Sequence, residues 1–393
     1  MDKATTYIPF SPPLINEEEI MEVVKSLRSG WITTGPKTKQ FEVDIQRFTT
    51  APYAVATSAC TEAMKVALHT LGLKEGDEVI TTPFTFASTG HVICYFRAKP
   101  VFVDVELDTY NINPEKISEK ITAKTKIILP VHFAGHACDM DPIMSIAHEN
   151  NLYVMEDAAH AIGTKYKGRM IGSIGDVTCF SFYATKNLTT AEGGIAVTHN
   201  EAWSRKMRML TMYGISDARE IWQERYTKSG SIHYDIKELG YKCNMTDISA
   251  SIGIHQLANL EAFNQTREQY AQVYNRAFAE HPGLTIPTIK EYTHCSRHLY
   301  PILLNSKYIR GVCRDELIDK LKVEFNIGTS VLFMPLHMHS FYRRLLKHQV
   351  GDFPVSEDLF RRQICLPLSP KLTYLQIEKV AESVLYILEQ NKR

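Results

Sequence analysis

Lys186 and Asp157 are the two residues whose types and positions most directly suggest a reaction. Each follows an apolar run, so each is expected at the carboxyl end of a strand, where open α/β sheets bind their ligands. A lysine amine can hold an aldehyde cofactor covalently, and a carboxylate can keep a pyridine nitrogen protonated. The pair therefore meets two of the three needs of pyridoxal 5′-phosphate, the third being a phosphate site.

The segment Ser58-Ala59-Cys60-Thr61 is the candidate for that phosphate site. Small and hydroxyl residues between a predicted strand and a predicted helix expose backbone N–H groups, which form a natural phosphate cradle. Ser181, on the strand before Lys186, can add a hydroxyl. Phe86, which follows another strand, can stack on the cofactor ring. These residues together predict a phosphate-cofactor site assembled at several strand ends.

Each of these residues also has a plain structural interpretation. An aspartate at a strand end often forms a turn, an isolated lysine is usually solvated, and Ser58–Thr61 can be a simple helix cap. Phe86 also fits a core position, and His132 is expected to be a buried histidine with satisfied hydrogen bonds rather than a catalyst. Taken alone, the residues predict an α/β enzyme with a phosphate-cofactor site and no particular reaction.

Short apolar runs alternate with helical stretches between Val55 and Val197. The runs are continuously apolar, which is typical of strands covered on both faces. The predicted strands are 79–82, 101–105, 127–131, 152–155, 177–182 and 195–198, and the predicted helices between them are 61–71, 114–121 and 142–149. This alternation predicts a mostly parallel sheet in a three-layer α/β domain.

The chain is expected to form two domains, since 393 residues exceed a single typical domain. The predicted large, cofactor-binding domain spans 15–263, and a smaller C-terminal α/β domain spans 264–393, with residues 1–14 packing against the smaller one. The other predicted features are a helix capped by Asn16 and ended by Gly30, helices at 265–279 and 377–388, core positions at Leu303, Leu317, Leu321 and Val323, and a polar loop at 217–234.

Composition excludes several classes of function. Lys+Arg and Asp+Glu both number 44, so the chain lacks the basic excess of proteins that bind nucleic acid or membrane surfaces. No apolar stretch approaches the ~20 residues of a membrane helix. The eight cysteines are scattered without a C-x-x-C pair, which indicates neither a zinc site nor a disulfide framework. A reducing, cytoplasmic setting is expected.

A set of longer motifs identifies a family resemblance. The motifs extend over almost the whole chain: Gly30-Trp-Ile-Thr-Thr-Gly-Pro36, Ser58–Thr61, Gly76-Asp-Glu-Val-Ile80, Pro130-Val-His-Phe-Ala-Gly135, Glu156-Asp-Ala-Ala-His160, Tyr166-Lys-Gly-Arg169, Phe180–Gly194, Gly240-Tyr-Lys-Cys-Asn-Met-Thr-Asp247, Gln256-Leu257 and Pro335-Leu-His337. Together they resemble the DegT-type sugar aminotransferases, a fold type I branch of the pyridoxal-phosphate enzymes. The first motif is most similar to the branch that aminates UDP-linked 4-keto sugars.

The resemblance implies roles around the cofactor ring. Lys186 would hold the cofactor covalently and carry the proton between the reacting carbons, and Asp157 would pair with the pyridine nitrogen. Phe86 would stack on the ring, and His160 would lie beside it. The family also contains a sugar dehydratase with histidine at the lysine position, so Lys186 favours transamination.

The resemblance also implies how the phosphate and the substrate are held. Cys60, Thr61 and Ser181 would lie at the phosphate, and Asn244 would reach the phosphate of the other subunit, so that a homodimer with shared sites is the active unit. The predicted substrate contacts are Trp31, Ile32, Thr33, Thr34 and His337. Two positions near the expected substrate site depart from relatives: Leu332 replaces a frequent histidine, and Pro12 stands where some relatives have arginine.

The implied reaction moves an amino group from L-glutamate to a nucleotide-linked keto sugar, with UDP favoured. Two alternatives stay open. One is another pyridoxal-phosphate reaction, such as that of an aminocyclitol aminotransferase or a carbon–sulfur lyase. The other is a sensor protein that keeps the fold without turnover, against which the presence of Lys186, Asp157 and Asn244 argues.

Overall fold

The structure is a computed structural model that describes residues 6–216, 234–305, 307–308 and 313–391. Its strands are β1 (Tyr53–Thr57), β2 (Glu78–Thr81), β3 (Lys99–Phe102), β4 (Thr125–Ile128), β5 (Tyr153–Asp157), β6 (Lys165–Tyr166), β7 (Arg169–Met170), β8 (Val177–Ser181), β9 (Gly194–Thr198), β10 (Leu284–Thr285), β11 (Thr293–His294), β12 (Tyr300–Leu304) and β13 (Gln363–Leu366). Its α-helices are α1 (Glu17–Ser29), α2 (Pro36–Thr49), α3 (Cys60–Thr70), α4 (Ala87–Cys94), α5 (Met140–Glu149), α6 (Glu201–Thr211), α7 (Asp247–Phe278), α8 (Arg314–Phe325), α9 (Ser340–Leu346), α10 (Pro354–Arg362) and α11 (Tyr374–Gln390).

The main sheet of the described residues has seven strands in the order β1-β9-β8-β5-β4-β2-β3. Strand β9 runs antiparallel to β1 and β8, and the other pairs are parallel. Two adjacent residues of strand β4 belong to different hydrophobic clusters, one on each face of the sheet. Ile128 packs in one cluster with Phe41 of α2, and Ile127 packs in another with Ala63 of α3. Helices therefore cover both faces, as three-layer α/β domains require, and the predicted architecture is confirmed.

The first helix has the ends that the sequence predicts. Asn16 caps α1 and forms a capping box with Glu19, which also places acidic side chains at the positive end of the helix. Gly30 ends the helix at a φ of 76°, a left-handed conformation that glycine adopts without steric cost. The local chemistry thus fixes where the chain turns towards the segment from Trp31.

Two local predictions differ from the structure in type. The stretch 114–121 forms two short 3₁₀ turns, Pro114–Lys116 and Ser118–Lys120, instead of one α-helix. Helix formation needs an apolar face to support it, and Ile117 is the main buried side chain there. Helix α4 was not predicted because its Ser, Thr and Gly residues are weak helix formers, yet the buried Val92 and Ile93 hold it against the sheet.

The C-terminal part has its own core around the antiparallel sheet β10-β12-β13. Leu317 and Leu321 of α8 are fully buried in it, and Ile8 packs into the same cluster and pairs with Ile327. Val323 was expected in this core but is 66% exposed. Residues four apart share a helix face, whereas Val323 lies two positions beyond Leu321 and points away.

Helix α7 links the two parts of the chain. It is 32 residues long and runs without a break through the predicted boundary at 263/264, which stays a prediction. Near its end, the hydroxyls of Tyr270 and Tyr274 donate to the carbonyls of Leu372 and Pro367. The C-terminal core is therefore hydrogen-bonded to a helix that begins in the N-terminal part.

Over the described ranges, no helix is both long enough and apolar enough to cross a membrane. The polar loop predicted at 217–234 lies, apart from Tyr234, outside the described residues.

Candidate active site

The carboxyl ends of β5 and β8 open onto a cavity of about 540 Å³. Asp157 is the last residue of β5, Ser181 is the last residue of β8, and Lys186 follows on the next turn. Most of the predicted cofactor residues line this cavity, namely Ala59, Cys60, Thr61, Phe86, Asp157, His160, Ser181 and Lys186. The fold thus brings together residues that lie up to 127 positions apart in the chain.

Asp157 is buried and its carboxylate is held from two sides. The hydroxyl of Thr89 donates to Oδ2 at 2.7 Å, and the N–H of Ala159 donates to Oδ1 at 3.1 Å. Burial raises the pKa of this carboxyl, whereas the two donors and the charge of Lys186 act in the opposite direction. A carboxylate fixed in this way can stabilise a cationic ring nitrogen because the surrounding protein excludes competing water.

Lys186 has its exposure on the cavity side, with protein on its other sides. The resulting desolvation lowers the pKa of its amine to about 8, although the charge of Asp157 opposes the shift. A neutral amine is the reactive form towards a carbonyl carbon. The environment of Lys186 therefore favours covalent attachment of an aldehyde near neutral pH.

The first turn of α3 supplies the features of a phosphate cradle. Helix α3 begins at Cys60 with Ala59 as its N-cap, and the N–H groups of Cys60 and Thr61 form no hydrogen bond within the described residues. A Cβ at Gly194 would lie 2.3 Å from the backbone nitrogen of Cys60, so only glycine allows β9 to approach this turn. Ser181 adds a hydroxyl on the cavity wall. This donor set fits a phosphate at a helix N-terminus.

Aromatic rings also line the cavity. The rings of His160 and His298 lie 4.4 Å apart, and Phe333 stacks on His160 at 5.9 Å with an interplanar angle of 18°. Phe86 is 61% exposed on the cavity side and lies 5.8 Å from Phe333. Burial lowers the pKa values of both histidines well below their ordinary value. The cavity therefore offers neutral rings beside a lysine and a carboxylate, which suits a planar phosphorylated cofactor.

A family model described as the DegT/DnrJ/EryC1/StrS aminotransferase family matches residues 13–385. The chain belongs to this family. It is 49% identical over 387 residues to the uncharacterized protein MJ1066 of Methanocaldococcus jannaschii, covering 98% of this chain and 99% of that protein. It is 44% identical to the spore coat polysaccharide biosynthesis protein SpsC of Bacillus subtilis, covering 99% of each.

Solved structures give the same result. The PMP-form of the putative sugar aminotransferase Spr1654 from Streptococcus pneumoniae superposes with a TM-score of 0.90 at 34% identity, covering 98% of this chain and 99% of that one. The PLP-form gives a TM-score of 0.89 at the same identity and coverage. These similarities confirm the predicted family, the fold type I architecture, the aminotransferase class and the pyridoxal-phosphate cofactor. The individual residue roles remain predictions.

The predicted substrate loop of the aminotransferase does not line its own cavity. Thr34 in this loop is tied to the segment before α7: its hydroxyl donates to the carbonyl of Met245 and accepts from the side-chain amide of Asn244. The N–H of Asp247 donates to the carbonyl of Thr33. Lys242 also contacts the Asn244 amide oxygen. Loop and Asn244 therefore form one hydrogen-bonded unit, which we call the 31–34/244 unit.

Two further predicted contacts lie outside the cavity lining. The N–H of Ser58 donates to the carbonyl of Cys243 at 2.7 Å, so the residue anchors the turn before α3. His337 is completely buried, with Nε2 3.0 Å from a carboxylate oxygen of Glu357 and its ring 4.7 Å from that of Phe353. A sequence motif locates a residue in the chain but does not give the direction of its side chain, and the geometry gives His337 a structural position.

The cavity also contains residues to which the sequence motifs gave no individual role. They are Phe10, Ser11, Thr85, Ser88, Val131, Ala159, Tyr183, Thr185, Glu192, Gly193, His298, Leu299, Ser330 and Phe333. Leu332, noted as a departure from relatives, lines the cavity as well, whereas Pro12 does not and accepts a hydrogen bond from Ser369 through its carbonyl. His298 was missed because it belongs to no spacing pattern with Lys186 or Asp157.

His132 has the structural role expected of it. It is fully buried, and its Nδ1 accepts a hydrogen bond from the N–H of Cys138. Its Nε2 therefore carries the proton and donates to Glu156 at 2.8 Å. The Glu156 carboxylate also accepts from Thr178 and Gly175. This hydrogen-bonded network holds the strand that ends in Asp157.

Proposed function

We propose that this aminotransferase transfers an amino group from L-glutamate to the keto group of a nucleotide-linked sugar, with a UDP-linked 4-keto-6-deoxy hexose as the favoured substrate. The observation that carries the proposal is the meeting of Lys186, Asp157 and the first turn of α3 in one cavity. The names of the relatives support the substrate class, because one is a putative sugar aminotransferase and another acts in polysaccharide biosynthesis.

The residues that line the cavity support a proposed position for each part of pyridoxal phosphate. Lys186 would hold the aldehyde carbon, Asp157 the ring nitrogen, and the first turn of α3 with Ser181 the phosphate. Phe86 and His160 would enclose the ring. When bound, the cofactor supplies an electron-withdrawing ring that stores the amino group between the two half-reactions.

Lys186 is the group we propose for proton transfer. With the cofactor and the amino donor in place, the amine of Lys186 would remain in the cavity and would carry the proton. A proton carrier works best when its pKa is close to the working pH, and burial brings the pKa of Lys186 to about 8. The Asp157 carboxylate, which accepts a hydrogen bond from Thr89, would stabilise a positive charge on the ring nitrogen of the bound cofactor.

The sugar nucleotide would bind where the cavity wall becomes apolar. Phe10, Phe86, Leu332 and Phe333 line that side, and none of them can donate or accept a strong hydrogen bond. An apolar wall suits the methyl group of a 6-deoxy sugar better than a free hydroxymethyl group, because an unpaired hydroxyl would lose its water.

The homodimer would complete the site. The 31–34/244 unit does not line the cavity of its own chain, and Asn244 is assigned to the phosphate of the other subunit. Because Thr34 and Asn244 are hydrogen-bonded to each other, the substrate loop would cover the same partner site. We also propose a cytoplasmic location, since all eight cysteines are unpaired.

The visible absorbance spectrum tests the proposal. Purified protein should show a band of the covalently bound cofactor, and L-glutamate should convert it to the amino form. The UDP-linked keto sugar should then restore the original band. Lys186→Ala should abolish turnover, while Lys165→Ala, an exposed lysine on β6, should behave as wild type. Restoration by keto-cyclitols but not by nucleotide sugars would contradict the substrate class. Absence of any band after incubation with pyridoxal phosphate would contradict the enzyme assignment.

A further inference from the structure

His298 occupies a position that the cofactor roles leave unused. It comes from the C-terminal part of the chain, is 5% exposed and lines the cavity beside Lys186 and His160. Its backbone is fixed independently of its ring, because its N–H donates to the carbonyl of Ala134 at 3.0 Å. Gly135 permits this close approach, since a Cβ there would lie 3.1 Å from the His298 nitrogen. The ring can therefore be changed without removing these anchors.

The hydrogen bonds of Asn187 determine which nitrogen of His298 carries the proton. Both N–H groups of the Asn187 amide are used, one by the carbonyl of Ser296 and one by the amide oxygen of Asn264, each at 2.7 Å. The amide oxygen of Asn187 can only accept, and it lies 3.0 Å from Nδ1 of His298. Nδ1 of His298 therefore donates, and Nε2 holds the lone pair.

His160 is fixed as the opposite tautomer. Its Nδ1 accepts a hydrogen bond from the N–H of Ala134, so its proton is on Nε2. Ala134 thus holds both residues, because its N–H bonds the ring of His160 and its carbonyl bonds the backbone of His298. The two rings are in contact, with their centroids 4.4 Å apart and their planes tilted by 39°, so a shift of one moves the other.

Burial, together with the charges around His298, keeps it neutral. The positive groups that act on it are Lys186 and the buried guanidinium of Arg267, and His160 lies against its face. Desolvation and these neighbours place the pKa of His298 well below its ordinary value. A neutral ring with a fixed donor has a structural role across the working pH range and does not carry protons.

We propose that His298 is a positioning residue for Lys186. Asn187 follows Lys186 directly in the chain, so the Nδ1–H bond from His298 holds the backbone that carries the lysine amine, while the His298 ring face holds His160. The C-terminal part of the chain thereby sets the orientation of the reacting amine. The effect of His298 on catalysis rests on the proposed function. The constraint that His298 places on the position of Lys186 does not depend on that function.

Three variants test this role. In His298→Asn, the side-chain amide nitrogen takes about the place of Nδ1 and can still donate to Asn187. In His298→Leu, no donor remains. His294→Leu, at the exposed position of β11 in the same segment, is the control. We expect the conversion of the visible band by L-glutamate to slow about 10²-fold in His298→Leu, as a misplaced reacting group does. His298→Asn and the control should stay close to wild type.

A second measurement does not need the cofactor. Competitive acetylation of the cofactor-free protein, read by peptide mass spectrometry, reports the pKa and access of Lys186 relative to exposed Lys165. His298→Leu should change the pH profile of Lys186 acetylation, and His298→Asn should not. The proposal is overturned if His298→Leu leaves both measurements unchanged or if His298→Asn is as impaired as His298→Leu. A wild type without a visible band but with these acetylation profiles would reject the proposed function and keep the positioning role.

Discussion

At the scale of single residues, burial shifts the pKa values of Asp157 and Lys186 in opposite directions. Desolvation raises the pKa of the carboxyl and lowers that of the amine, so each neutral form becomes easier to reach. Their mutual attraction and the hydroxyl of Thr89 limit the effect on the acid. The site therefore holds a carboxylate whose charge is favoured by its donors and by Lys186, next to an amine that can lose its proton.

The pKa of Lys186 leads to a prediction about cofactor capture. Only the free amine adds to an aldehyde, so the capture rate of the cofactor-free protein should rise about tenfold per pH unit below pH 8 and then level off. An unshifted lysine would continue to gain rate up to about pH 10.5. The measurement is the growth of the visible band after mixing with pyridoxal phosphate. N-acetyl-lysine methyl ester in the same buffers corrects for ionisation of the cofactor itself.

The same shift makes the stability of the cofactor-free protein depend on pH. The folded pKa of about 8 lies below the unfolded value of 10.5, so the unfolded chain binds more protons between these two values. Stability should therefore rise with pH through that window, and the cost of the buried charge is fully present below pH 8. Lys186→Met should remove this contribution. A cofactor capture rate independent of pH between 7 and 8 would contradict both expectations.

At the scale of secondary-structure elements, the phosphate site depends on how closely β9 approaches α3. Gly194→Ala would place a methyl group 2.3 Å from the nitrogen of Cys60 and 2.5 Å from the carbonyl carbon of Ala59. The contact is with backbone, which cannot rotate away. We expect a loss of about 1–3 kcal/mol in unfolding free energy, together with weaker cofactor binding, because the first turn of α3 has to move.

Gly72→Ala is the matched control for that variant. Gly72 has a positive φ of 78° and open space around it, so an added methyl group brings backbone strain without a clash. It should cost about 1 kcal/mol of stability and leave cofactor affinity unchanged. The measurements are urea unfolding and titration of the cofactor-free protein with pyridoxal phosphate. Equal cofactor affinity in both variants would show that the approach of β9 is unimportant for the phosphate site.

The elements were predictable where local chemistry decides them. The capping box of Asn16, the stop at Gly30 and the continuous apolar strands depend on neighbours in the sequence, and they were found within a few residues. Helix α4 and the 3₁₀ turns after Asn113 were not predicted, because packing against distant strands determines their conformation. Val323 was misplaced because its apolar side chain does not reveal which face of α8 it occupies.

The site was predictable to the extent that strand ends and helix N-termini carry it. Asp157, Lys186 and Cys60 follow or begin such elements, and the structure brings them to one cavity. His298 and Phe333 come from the C-terminal part, and their approach depends on tertiary contacts such as that of Ala134 with His298. Periodicity and spacing contain no information about those contacts.

At the scale of the whole molecule, the 31–34/244 unit gives the proposed dimer a measurable consequence. Asn244→Ala should weaken cofactor binding in the partner site, whereas Lys186→Ala inactivates its own site. When the two variants are mixed and allowed to exchange subunits, half of the dimers are hybrids in which one of the two sites is intact. Activity should therefore recover to about a quarter of the wild-type value. Two sites built within single chains would give no recovery on mixing.

Helix α7 limits how the length of this chain can change. Its first turn holds the substrate loop, because the Asp247 carboxylate accepts hydrogen bonds from the N–H groups of Gly35 and Thr38, and its far half bonds Leu372 and Pro367. Inserting a single residue between these two ends would rotate one end of the helix relative to the other by about 100° and lengthen the helix by about 1.5 Å. Both sets of partners could not then be kept. Insertions and deletions should be tolerated in connecting loops but not inside this helix, because its length and rotation fix the distance and orientation between its two sets of partners.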